Sequence, residues 1–155
     1  MRNIQRHLEA CIHTEQYTAE VYSALGQAFP RWKKLFFKLA RAEEKHANIL
    51  TLAIGLRRFI SPGAHGGGLP ASTKASMEIL DRLAAMVYAP DISLGEDILP
   101  ELMRLEASSA EGYMDEIMRG RGGGGLLNYL RQFHDDERSH LEMLRDLEDK
   151  LDSAV

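Results

Sequence analysis

The helical character of this chain is clearest in residues 31–56, which read RWKKLFFKLARAEEKHANILTLAIGL. Apolar side chains recur there every three or four residues, which is the period of an α-helix with one buried face. The members of that face are Trp32, Leu35, Phe36, Leu39, Glu43, His46, Leu50 and Ala53. Two of them, Glu43 and His46, are titratable, and such residues are rarely buried without a partner.

The same period predicts three further long helices, while no stretch alternates apolar and polar residues long enough to form a strand. The long helices are predicted at residues 3–27, 31–56, 93–119 and 126–152, with a shorter helix at 72–88. The chain is therefore predicted to be all-α. We expect a four-helix bundle whose helix pairs, 3–56 and 93–152, are joined by a long crossover, 57–92, that contains the short helix.

The start of the third long helix carries two local signals. Ser93 is its expected N-cap, with Glu96 at the capping-box position three residues later. Pro100 lies within the helical pattern, and proline inside a helix removes a backbone hydrogen bond. We therefore expect either a kink there or a true helix start near Leu99.

Length and composition limit the classes of protein. A chain of 155 residues suits one domain, 1–155, and 45% hydrophobic with 27% charged residues is ordinary for a globular protein. The net charge of −4 argues against nucleic acid as the main partner. A single cysteine, no secretory leader and no apolar run of about 18 residues predict a cytoplasmic protein that crosses no membrane.

Each long helix carries a glutamate in the middle of its apolar face, and two of them add a histidine one turn later. These six residues are Glu15, Glu43, His46, Glu106, Glu137 and His140. Four unpaired carboxylates in a core would be strongly destabilising, and no lysine or arginine falls on these faces beside them. Two bound divalent cations, with a charge of +4, are the simplest compensation.

The six residues also form an internal repeat. Glu15 is followed seven residues later by Tyr22, and Glu106 is followed at the same distance by Tyr113. An E-x-x-H motif then comes in each half. By composition, roughly one such motif is expected by chance in every two chains of this kind, so a single match would mean little. Two matches in register with an apolar face, each preceded by the same glutamate–tyrosine spacing, favour a metal site at a pseudo-twofold centre.

The stretches EQYTAEVY…FFKLARAEEKHA and LEASSAEGY…FHDDERSHL resemble the paired ligand helices of the ferritin-like di-iron carboxylate superfamily, and within it the rubrerythrin-like proteins. The resemblance covers all four long helices. It implies two iron ions, one held by Glu15 and His46 and the other by Glu106 and His140. Glu43 and Glu137 would bridge them. Manganese or zinc would also suit these carboxylate and imidazole ligands.

Two features depart from that family. Rubrerythrin peroxidases add a second carboxylate one turn beyond the ligand corresponding to Glu106, whereas this chain has Ser109 there, and Glu111 points off the face. Rubrerythrins proper also carry a rubredoxin domain with four cysteines, whereas Cys11 is alone here. The resemblance therefore implies an external electron-donor protein.

Other polar residues near the faces have alternative interpretations. Tyr22 and Tyr113 are either plain core aromatics or donors of a hydrogen bond to a site carboxylate, because helical side chains lean toward the N-terminus. Rotation of about 100° per residue carries several neighbours off the faces, where surface or interfacial roles are expected. These neighbours are His13, Glu20, Glu44, His134 and Asp136.

Three functions remain open from the sequence. The first is a redox enzyme that reduces hydrogen peroxide or oxygen at a di-iron centre. The second is an iron-handling ferroxidase that serves storage or delivery, and the third is a bundle that holds metal without turnover. A hydroxylase acting on an organic substrate is a weaker fourth, and a homodimer is compatible with the sequence but not required by it.

Overall fold

The computed structural model describes residues 2–56, 71–118 and 124–153. Five α-helices occupy most of these ranges: α1 (Arg2–Ala28), α2 (Lys33–Leu56), α3 (Ala71–Val87), α4 (Leu99–Met118) and α5 (Gly124–Asp152). No strand occurs in the described ranges, so the all-α prediction is confirmed. The glycine-rich first part of the predicted crossover, residues 57–70, lies outside them.

α2 begins two residues later than the periodicity predicts. A single 3-10 turn, Pro30–Trp32, precedes it, and the amide of Trp32 donates to the carbonyl of Phe29 at 2.9 Å. Proline suits the first position of such a turn because its missing N–H is not needed there. This compact turn lets α2 fold back directly against α1.

The start of α4 shows how the chain accommodates Pro100. One π turn, Leu94–Ile98, leads into the α-helix at Leu99, so the proline is the second residue of the α-helix and follows directly on the change from π to α winding. Ser93 caps the π turn by accepting from the amide of Glu96 at 3.2 Å. A capping box also requires the Glu96 side chain to accept a hydrogen bond from the Ser93 amide. Asp97 accepts from that amide instead, at 2.8 Å, so this part of the prediction is wrong. A π turn holds more residues than an α turn, so the side chain that faces back to Ser93 is that of Asp97, four residues on, and not that of Glu96, three residues on.

The helices pack as two pairs with α3 beside them. α1 lies against α2, and α4 against α5, while α3 contacts both α1 and α4. Hydrogen bonds fix α3 on either side: Tyr17 of α1 donates to Asp81 at 3.1 Å, and Ser76 donates to Ser108 of α4 at 3.1 Å. The short helix of the predicted crossover thus becomes a packed part of the core.

Two apolar clusters lie toward opposite ends of the helices. The larger includes Tyr22, Phe36, Leu39, Leu80, Leu83, Leu102, Leu105 and Leu144, all buried. The smaller includes Leu8, Leu50, Ala53, Tyr113, Leu130 and Phe133. Along α1, α2, α4 and α5, the buried glutamates fall between the residues of one cluster and those of the other. The polar layer is therefore closed off by apolar packing above and below.

Within the part of the chain that the structure describes, no helix combines the length and the apolar character needed to cross a bilayer.

Candidate metal centre

Four carboxylates and two imidazoles are buried between the apolar clusters. Each lies on the inward face of its helix and is at most 4% exposed; they are Glu15, Glu43, His46, Glu106, Glu137 and His140. Burial follows from their register, since every one of them occurs at a position where the helical period calls for an apolar residue. All six residues predicted from the sequence are thus brought into one layer.

Their ligand atoms form two overlapping groups. Glu15, Glu43, His46 and Glu137 offer atoms within 4.8 Å of one another, and Glu43, Glu106, Glu137 and His140 do the same. Glu43 and Glu137 belong to both groups. Each group therefore has one histidine and one glutamate of its own, together with the two shared carboxylates.

The two histidines point the same ring nitrogen inward. His46 Nδ1 lies 3.3 Å from Glu43 Oε2, 3.4 Å from Glu137 Oε1 and 3.5 Å from Glu15 Oε2. His140 Nδ1 lies 2.8 Å from Glu43 Oε1 and 3.3 Å from Glu106 Oε2. No lysine or arginine pairs with these carboxylates among the described residues.

Three inward-facing atoms have no hydrogen-bond partner of acceptable geometry among the described residues: Glu43 Oε1, His46 Nδ1 and Glu137 Oε1. Unpartnered buried polar atoms are rare in native proteins, since each costs roughly 1–3 kcal/mol. All three are carboxylate oxygen or imidazole nitrogen, the atom types that bind iron, manganese or zinc. The donor set therefore fits a pair of bound metal ions.

Crowding shifts the pKa values of the carboxylates in the metal-free protein. Burial, reinforced by the neighbouring charge of Glu43, raises the pKa of Glu15 from 4.5 to about 8. Burial and the charges of Glu43 and Glu106 likewise raise the pKa of Glu137 well above its ordinary value. These two groups therefore favour the protonated form, because four carboxylates in one dry layer cannot all ionise without a cation.

The histidines shift in the compensating direction. Burial alone would lower the pKa of His140, but its contacts with Glu106 and Glu43 raise it from 6.5 to about 10. The pKa of His46 rises as well, since contacts with Glu137, Glu15 and Glu43 outweigh its burial. The pKa of Glu43 falls below its ordinary value because both histidines approach it. Without metal, bound protons thus replace the missing positive charge.

Two tyrosines connect the halves of the repeat. The Tyr22 hydroxyl on α1 donates to Glu106 on α4, and the Tyr113 hydroxyl on α4 donates to Glu15 on α1. Burial raises the pKa of both hydroxyls well above 10, so they remain protonated donors. The hydrogen bonds considered from the sequence are present, and each crosses to the carboxylate of the opposite half.

Asp136 is the residue that sequence reasoning missed. Its rotation off the α5 face predicted a surface role, yet its Oδ2 lies 3.0 Å from His46 Nε2, and its side chain is 38% exposed. Asp136 is thus partly at the surface, and only its contact with the outer edge of the His46 ring was not predicted, because that contact depends on α2 packing against α5. An outer partner for His46 could have been expected, because a histidine that points one nitrogen at a metal normally donates a hydrogen bond from the other.

The remaining candidates stay outside the layer. Glu20 and Glu44 are exposed and line a surface groove beside Tyr88. His13 is exposed and stacks on Tyr17, while His134 Nδ1 lies 3.2 Å from Asp135. The position one turn after Glu106 is the half-buried Ser109, and Glu111 is exposed, so neither supplies a further inward carboxylate.

Comparison with known proteins adds no assignment: no family model, no curated protein and no solved structure matches this chain.

Proposed function

We propose that this chain is a di-iron carboxylate protein of the ferritin-like, rubrerythrin-like type, built as a four-helix bundle with α3 in its crossover. The observation that carries the proposal is the pair of overlapping ligand groups that share Glu43 and Glu137. A pair of ions with two common carboxylates accounts for both the burial of four carboxylates in one layer and the unpartnered atoms there. The choice of iron rests on the resemblance seen in the sequence, since manganese or zinc suits the same ligands.

The ligands divide between two positions. Glu15 and His46 would hold one ion, Glu106 and His140 the other, and Glu43 and Glu137 would bridge them. Two iron(II) ions would supply the two electrons that reduce hydrogen peroxide to water, or that begin the reduction of oxygen.

The chain's own residues prepare the site for this chemistry. The apolar clusters on either side exclude bulk water, which strengthens every electrostatic interaction within the layer. Tyr22 and Tyr113 hold Glu106 and Glu15 by hydrogen bonds. Both tyrosine hydroxyls stay protonated at neutral pH because their pKa values are raised. Asp136 holds the ring of His46 from outside.

Turnover would require electrons from outside this chain. Cys11 is its single cysteine, so the chain cannot itself supply the four thiolates of a rubredoxin-type centre. We therefore include an external electron-donor protein in the proposal. A single cysteine also fits a reducing cytoplasm as the compartment.

An iron-handling ferroxidase is the second candidate, and Ser109 favours it. Rubrerythrin peroxidases carry a second carboxylate where this chain has that half-buried serine, and the nearby Glu111 is exposed. Without the extra carboxylate, oxidation of iron could feed storage or delivery instead of repeated peroxide reduction. A bundle that holds two redox-silent ions is the remaining alternative.

Metal content and oxidation kinetics test the proposal. Protein loaded anaerobically with iron(II) is expected to contain two irons per chain, and stopped-flow mixing compares its oxidation by peroxide and by oxygen. Faster reaction with peroxide supports the redox enzyme, and continued uptake beyond two irons supports iron handling. Two ions that react with neither oxidant would leave only the structural role.

Substitutions test the ligand assignment. Glu15→Ala and Glu137→Ala should each lower the bound metal by about one ion per chain or more, because each removes a buried ligand. Glu20→Ala and Glu44→Ala are controls on the exposed faces of α1 and α2, and should retain two ions. Equal losses in both sets, measured by elemental analysis, would contradict the assignment.

A further inference from the structure

The two halves of the ligand repeat differ at one position outside the ligand set. The residue before the bridging Glu137 is Asp136, whereas the residue before its counterpart Glu43 is Ala42. Both positions are half-buried and lie at the same place relative to an E-x-x-H motif. The near symmetry of the six inward residues is therefore broken at their outer edge.

Of the two inward histidines, only His46 contacts Asp136. Asp136 Oδ2 lies 3.0 Å from His46 Nε2, the nitrogen that faces away from the layer. His140 contacts carboxylates through Nδ1 alone, and among the described residues no hydrogen bond or ion pair reaches its Nε2. His46 is further restrained by the Phe133 ring, whose centroid lies 4.4 Å away.

An outer carboxylate changes what an imidazole offers to a metal ion. In the neutral ring, the form that binds a metal ion, Nε2–H donates to Asp136 and Nδ1 is left as the inward nitrogen that can bind. The same hydrogen bond fixes the ring plane and makes the inward nitrogen more basic. Among the described residues no such bond fixes the outer edge of His140, so its ring is less restrained before a metal ion binds.

We propose that Asp136 makes the two metal positions inequivalent, so that the position of Glu15 and His46 binds its ion first and more tightly than that of Glu106 and His140. Asp136 is a positioning residue, since it acts through His46. The inference rests on the metal centre proposed above. Outer partners of ligand histidines typically change metal affinity by about 10–100-fold, which sets the expected difference between the positions.

Titration of the metal-free full chain with cobalt(II) tests the inference, since binding can be followed both by visible absorption and by calorimetry. The wild type should show two dissociation constants about 10–100-fold apart. Glu15→Gln should remove the tighter event and Glu106→Gln the weaker one. These two glutamates are matched, because each accepts one tyrosine hydrogen bond across the repeat.

Two variants of the outer position test Asp136 itself. Asp136→Asn should weaken the tighter event about tenfold or more and bring the two constants together. Asp135→Asn is its control, since Asp135 is an exposed neighbour that faces His134 instead. Ala42→Asp should strengthen the weaker event, because it places a carboxylate at the matching outer position for His140.

The outcomes separate the inference from the metal centre on which it rests. Equal constants in the wild type, or equal effects of Asp136→Asn and Asp135→Asn, would overturn the inference while leaving a two-ion site in place. Failure of the wild type to bind cobalt would overturn the metal centre itself. The Ala42→Asp variant keeps the test decisive even if Asp136→Asn folds poorly, because its predicted effect is a gain of affinity.

Discussion

Tyr22 and Tyr113 act at the scale of single residues to tie the two halves together. Each hydroxyl donates across the layer, from α1 to Glu106 and from α4 to Glu15. A carboxylate that accepts a hydrogen bond on one oxygen is held in place to bind a metal ion with the other. Each tyrosine thus orients a candidate ligand of the half to which it does not belong.

This crossed arrangement predicts crossed effects. Tyr22→Phe should weaken the position of Glu106 and His140 by about tenfold, and Tyr113→Phe should weaken that of Glu15, as judged by cobalt(II) titration. Tyr17→Phe is the control, since its hydroxyl donates to an exposed aspartate at 3.1 Å. If both buried substitutions weakened the same position, the tyrosines would not act through the carboxylates that they contact.

At the scale of helices, α3 closes the side of the molecule formed by α1 and α4. Its inward residues Ser76, Ile79, Leu80, Leu83 and Val87 are buried. Leu80 and Leu83 belong to the larger apolar cluster, which also contains residues of α1, α2, α4 and α5. A helix that the sequence places only in a connection therefore contributes to the core that shields the candidate site.

Removing part of that contact should cost stability. Leu80→Ala deletes a side chain with no exposed surface and should lower the free energy of unfolding by about 2–5 kcal/mol, as measured by urea denaturation of the metal-free protein. Ala85 lies on the exposed face of α3, so Ala85→Ser should change the free energy of unfolding by less than about 0.5 kcal/mol. A similarly small effect of Leu80→Ala would mean that α3 does not pack on the other helices in solution.

At the scale of the whole molecule, the charged layer makes stability depend on pH when no metal is bound. The pKa of Glu15 is 4.5 in the unfolded chain and about 8 in the folded one, and that of His140 rises from 6.5 to about 10. Between these limits the folded state holds more protons than the unfolded state. Stability from these groups is therefore present at low pH and is lost as pH rises from about 4.5 to 10.

Thermal unfolding should display this loss. The metal-free protein is expected to melt roughly 5 °C or more lower at pH 9 than at pH 6, since about 2 kcal/mol corresponds to 4–8 °C for a chain of this size. Binding of divalent ions should raise the melting temperature and reduce its pH dependence, because metal charge then replaces the protons. Identical melting of the chelated protein at both pH values would contradict the proton-filled layer.

The sequence by itself determined the helices and the residues that line their buried faces. An amphipathic period depends only on spacing within one helix, so it located the helices and the six buried carboxylate and imidazole side chains. The ligand roles of those residues remain a prediction. Pro100 left two alternatives for α4, a kink or a start near Leu99, and the α-helix begins at Leu99. The predicted N-cap Ser93 is confirmed, but Asp97 replaces Glu96 as the acceptor of the Ser93 amide, because a π turn changes which side chain faces back to Ser93.

Relations between helices were decided only by the tertiary structure. Which carboxylate each tyrosine reaches and the packing of α3 both depend on how separate helices are set against one another. Asp136 is the clearest instance: its own helix turns it off the buried face, yet the position of α2 brings His46 to it. Helical period fixes a side chain's direction from its own axis, whereas its partner across an interface is fixed by interhelical packing.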